Sequence, residues 1–166
     1  MANPFVGYDN IVPFLAPQDI GSTATTCPYI DLYNAHEAAF LISFGAVTSA
    51  TATDHYDITI EAATAEAGTE ATIGFSYRVS GIVGTNTWGA VTTCASTGVE
   101  VGSTDDNKSY WIELDPAALA ANDYRYVRAV ITDDDDMSAG LVFGAAFLQT
   151  RYRQTTHLSA TASASA

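Results

Sequence analysis

Apolar and polar positions alternate along most of this chain in short runs, separated by Gly, Ser, Thr, Asn and Asp. Successive side chains of an extended chain point to opposite faces, so a period of two marks a strand with one face in a core and one in water. The cleanest run sets Tyr56, Ile58, Ile60 and Ala62 against Asp57, Thr59 and Glu61. Ile73, Phe75, Tyr77 and Val79 repeat it against Thr72, Ser76 and Arg78, and Tyr110, Ile112 and Leu114 against Trp111 and Glu113. Phe40, Ile42 and Phe44 share one face. Asp123 to Arg153 reads as two long strands joined by an acidic turn. In the first, Val127, Ala129 and Ile131 oppose Tyr124, Tyr126, Arg128 and Thr132. In the second, Leu141, Phe143, Ala145 and Phe147 alternate with Val142, Gly144, Ala146 and Leu148; both faces are apolar, which predicts a central strand. With Tyr29–Leu32 and Thr87–Thr92 the pattern gives about eight strands, predicting an all-β fold: an antiparallel β-sandwich or jelly roll.

Three segments depart from the alternation. Asp115 followed by Pro116, alanines and Leu119 carries an N-cap aspartate and a proline at the first helical position, which predicts one short helical turn. Residues 1–26 hold Pro4, Pro13 and Pro17 among isolated apolar residues without a sustained period, and read as an extended N-terminal arm. Residues 155–166 are almost wholly Thr, Ser and Ala, with too little apolar bulk to offset the entropy of ordering, and read as a flexible tail. The sandwich domain then spans 27–154.

The charge balance narrows the partners. With 19 acidic against 6 basic residues the formal net charge is −13, and phosphate backbones, which are held by clustered Lys and Arg, are not an expected partner. The opening residues lack the basic start and unbroken apolar run of a signal peptide, so synthesis in the cytoplasm is expected. The apolar run from Ala38 to Val47 is interrupted by Ser43 and falls short of the roughly 20 residues a membrane helix needs; no membrane partner is expected. In a reducing compartment Cys27 and Cys94 are expected as thiols rather than a disulfide.

Residues able to carry chemistry are few. Asp133, Asp134, Asp135 and Asp136 offer carboxylates to a calcium ion, but lack the alternating ligand spacing and distal glutamate of an EF-hand loop, so a solvated turn is preferred and no metal is expected. Of His36, His55 and His157, the second is flanked by Asp54 and Asp57, the raw material of acid–base catalysis. No nucleophile elbow, HExxH or glycine-rich phosphate loop accompanies it, so no catalytic residue and no cofactor are assigned. Trp88 and Trp111, if side by side on a wet sheet face, would form a stacking platform for sugars; packing beneath the arms or at a subunit contact is preferred.

The segments AFLISFGAV, YDITIEAATAEAG, ATIGFSYRVS, SYWIELDPAALAANDYRYVRAVI and FGAAFLQTRYR together resemble the small β-sandwich structural proteins of tailed bacteriophages, often capsid cement or decoration proteins. The resemblance spans most of the domain, and the ending Thr150-Arg151-Tyr152-Arg153 is its most specific part. It implies a non-enzymatic virion protein that binds the major capsid protein shell and itself, as a trimer matched to local three-fold positions of the lattice. The alternative is a neck, tail or fibre component with a glycan- or receptor-binding sandwich. For partner binding the candidates are the arm residues Phe5, Tyr8, Ile11, Phe14 and Leu15, and Arg125, Arg128, Arg151 and Arg153, since arginine grips carboxylates bidentately.

Overall fold

The alternating run around Tyr56 forms β5 (His55–Ala63), which pairs antiparallel over its whole length with β11 (Tyr126–Asp134), from Tyr126 opposite Ala63 to Asp134 opposite His55. Ile58, Ile60 and Ala62 and their partners Ile131, Ala129 and Val127 are at most 1% exposed, so one whole face of this ladder is core. The other face holds His55, Asp57, Thr59 and Glu61 opposite Asp134, Thr132, Val130 and Arg128. Short edge segments complete this sheet. β2 (Thr25–Thr26) and β3 (Ile30–Asp31) lie along β11, and β6 (Ala71–Ile73) and β9 (Val99–Gly102) along β5.

The second sheet has the order β1 (Asn10–Asp19), β12 (Met137–Thr150), β4 (Ala35–Ser49), β10 (Ser109–Glu113), β7 (Phe75–Val79), β8 (Thr92–Cys94), all antiparallel. Its inner face, Phe40, Ile42, Phe44, Tyr110, Ile112, Val142, Ala146 and Leu148, packs with the inner face of the first sheet in one core. Phe44 of one sheet stacks on Tyr56 of the other, with ring centroids 6.1 Å apart. The Tyr56 hydroxyl ends that stack by donating to the carbonyl of Gly21, which satisfies a polar tip at the core margin. The computed structural model describes residues 10–33, 35–49, 51–81, 83–134 and 137–150.

The molecule is thus an all-β sandwich of two antiparallel sheets, as the alternation predicts. The expected helical turn is α1 (Pro116–Ala121). Among the described residues the strand count rises from eight to twelve, because one predicted run is divided and β1, β2 and β9 form where the alternation predicts no strand. The divided run is Ile73 to Val79: the chain leaves one sheet after Ile73 and enters the other at Phe75. The hinge between them is Gly74, where a side chain would press on the Cys94 carbonyl. Of Thr87–Thr92, only Thr92 is in a strand, and Trp88 makes an isolated bridge to Ser80.

The expectation of an arm over residues 1–26 is corrected within the described part. Asn10–Asp19 is the edge strand β1, paired with β12 from Asn10 opposite Leu148 to Asp19 opposite Leu141. Its prolines fit an edge, where a missing N–H removes no ladder bond on the open side. Irregularities between Pro13 and Leu15 and between Leu15 and Gln18 break the period of two, which is why the alternation does not reveal it. Residues 1–9 and the predicted tail at 155–166 lie outside the described residues. Among the described residues, no helix is long and apolar enough to cross a membrane.

Candidate functional site

The predicted partner-binding residues separate sharply. Phe14 and Leu15 are core residues, 7% and 5% exposed, with the Phe14 ring edge-on to Phe40 at 5.3 Å; this corrects their assignment to an interaction surface. Ile11, on the same strand but opposite Phe147, is 61% exposed. Phe5, Tyr8, Arg151 and Arg153 lie outside the described residues.

The two described arginines of that set have partners inside the chain. Arg125 grips Asp31 with both sides of its guanidinium, Nε to Oδ1 at 2.8 Å and Nη2 to Oδ2 at 2.5 Å, between the rings of Tyr33 and Tyr126. Hydrogen bonds from Arg125 hold the Asp31 carboxyl below the usual carboxylate range. Arg128 bridges Glu61 at 2.7 Å and Glu70 at 2.9 Å and lies over the Tyr29 ring. Their forks tie the margins of the β5–β11 sheet, so the expectation that they grip a partner's carboxylates gives way to an internal role.

Two surfaces remain. The first is the outer face of the larger sheet, where Leu41 and Ala39 of β4, Trp111 of β10 and Phe143, Ala145 and Phe147 of β12 form a second apolar layer. The Trp111 and Phe147 ring centroids are 5.2 Å apart, and the indole N–H donates to Glu113 at 3.0 Å. Trp111 is 4% exposed and Trp88 36%, so the two tryptophans do not form a joint platform on a wet face. Toward the margins of this face Ile11 and Leu141 are 61% and 49% exposed.

The second surface is the outer face of the other sheet. Three adjacent strands bring together His55 and Asp57 of β5, Asp134 of β11 and Glu100 of β9, with Asp134 directly opposite His55 and Glu100 directly opposite Asp57. The His55 Nε2 lies 3.5 Å from Asp134, 3.9 Å from Asp57 and 4.0 Å from Glu100, and its Nδ1 is 2.8 Å from the Thr53 carbonyl. That carbonyl, and then the three carboxylates, raise the pKa of the imidazole. Burial, seconded by Asp134 and Glu100, raises that of Asp57. Asp54, the other sequence neighbour of His55, is instead 5% exposed and accepts the Thr51 amide at 2.8 Å, organising the turn before β5. The sequence suggests His55 with Asp57. Asp134 and Glu100 become its neighbours only through cross-strand register.

Elsewhere, His36 and Glu37 rim a shallow hollow floored by Leu32, Leu114, Leu119 and Tyr124. Cys27 and Cys94 are both free and buried, and burial pushes the Cys27 thiol up to about 12. Comparison of the chain with protein-family models, with curated proteins and with solved structures finds no match.

Proposed function

We propose that this chain is a non-enzymatic structural protein of a tailed-phage virion, a capsid cement or decoration protein that binds the shell of major capsid protein and other copies of itself, as a trimer. The observation that carries the reading is the apolar surface left at the margins of the larger sheet's outer face, beside a second apolar layer whose Ala39, Trp111, Ala145 and Phe147 are themselves buried. A sandwich needs one apolar face per sheet, and large apolar side chains that stay exposed on the other face offer surface to a neighbour. Leu41 and Phe143 are only half-buried there, and Ile11 and Leu141 are well exposed. Large apolar groups clustered on a protein of net charge −13 favour association through that face while the remainder repels indiscriminate contact. The resemblance of the strand segments to phage sandwich proteins supplies the setting.

The test is the copy number of the chain in purified particles, by quantitative mass spectrometry relative to the major capsid protein. Near-equal copies are expected, together with loss from the particles of a folded Ile11→Asp, Leu141→Asp double variant. A few to a few tens of copies would move the reading to a neck, tail or fibre position. Absence from the particles would overturn it.

A further inference from the structure

The cluster around His55 is not explained by a structural role. Nitrogen-to-oxygen separations of 3.5, 3.9 and 4.0 Å are longer than ordinary hydrogen bonds, so the three carboxylates surround Nε2 without binding it directly. Among the described residues the ion pairs of Asp57, Asp134 and Glu100 run to His55 and not to Lys or Arg, whereas Glu61, Glu70 and Asp31 on the same face have an arginine. One ligand atom each from His55, Asp57 and Asp134 falls within 4.8 Å of the others. Ligands held tetrahedrally about 2.1 Å from a zinc-sized ion lie about 3.4 Å from one another, so side chains now within 4.8 Å would close by up to about 1.4 Å, a movement open to the exposed Asp134 carboxylate.

A second feature is independent of the carboxylates. The Nδ1 contact at 2.8 Å to the Thr53 carbonyl requires a proton on Nδ1, which in the neutral ring leaves the lone pair on Nε2, aimed into the cluster. A backbone carbonyl holding the remote ring N–H is the outer-shell arrangement that orients metal-binding histidines. The ligands stand on β11, β5 and β9, three strands locked in register, so their spacing is set by the ladder rather than by a pliable loop.

We propose that His55, Asp57 and Asp134, with the exposed Glu100 as a fourth arm, bind a divalent transition-metal ion. One imidazole with two or three carboxylates suits Zn2+, Co2+ or Mn2+, while Ca2+ takes six to eight oxygens and has no use for the imidazole. The buried Cys27 thiol, held protonated, is no competing ligand. The ion would pin the Asp134 end of β11 to β5 and β9.

The experiment is calorimetric titration of the chelator-treated full chain with Zn2+, in parallel with Co2+ absorption and the imidazole 15N shifts of His55 and His36. The expected result is one equivalent bound, a shift at His55 Nε2 with His36 unmoved, and at least a tenfold weaker Kd in both His55→Ala and Asp134→Asn. The Asp134 side chain is 59% exposed, so its variant keeps the fold if the histidine variant does not. Three results would each overturn the proposal: no saturable binding of Zn2+, an unchanged Kd in Asp134→Asn, or a preference for Ca2+ that survives loss of His55.

Discussion

Gly144 shows how one position on β12 shapes the fold around it. A methyl group there would overlap the Phe14 ring, which lies across the glycine to reach Phe40. We expect Gly144→Ala to destabilise the protein by about 1–3 kcal/mol, the range for overpacking a closed core, measured as a lower urea midpoint with unchanged slope. A half-buried charge pair weighs less. Arg128→Ala removes the bridge to Glu61 and Glu70 and the contact with Tyr29, and we expect a loss of about 1 kcal/mol that shrinks in high salt. Asp31 adds a dependence on acidity. Its folded pKa lies below the unfolded value, so its contribution is fully present above the unfolded pKa of about 3.9 and is lost as pH falls through the folded one. In acid titrations below about pH 4, Asp31→Asn should therefore lose less stability than the parent chain; equal losses would show that the Arg125 pair is not part of the acid response.

At the scale of elements, β1 carries the most direct consequence. Deleting residues 1–26 as a detachable arm removes the edge strand, Phe14 and Leu15, and with them two large core side chains. Losses of about 2–5 kcal/mol for each large buried side chain argue that this truncation unfolds a domain of ordinary stability. Deleting residues 1–9 leaves every described strand. We expect the shorter truncation to retain a cooperative thermal transition and the longer one to lose it; a folded 27–166 fragment would show that β1 is dispensable. The elements legible from the sequence are those in which alternation survives intact. β5 and β11 qualify because nine consecutive pairs run without a bulge, so the inward Ile58, Ile60, Val127 and Ile131 keep a strict period. β1 was hidden because its prolines and bulges shift the register, and β6 and β7 merged into one run because Gly74 changes the sheet without changing the alternation.

For the whole molecule, the two outer faces differ in kind. One is apolar around Leu41, Phe143 and Leu141; the other is lined by charge pairs and ends in the His55 cluster. Association of copies through the apolar face should appear in sedimentation as a concentration-dependent oligomer that the Ile11→Asp, Leu141→Asp variant abolishes. A variant that still sedimented as the parent would place the contact elsewhere. The sequence by itself determined the all-β class, the inward face of the long strands and the double-apolar character of β12, since each follows from a period of two and from which side chains leave water. Only the tertiary structure decided which sheet each strand joins, that Phe14 and Leu15 are core, that Arg125 and Arg128 close on acids up to 94 residues away, and that Asp134 and Glu100 face His55. These depend on cross-strand register and on changes of sheet, long-range pairings that local alternation does not encode.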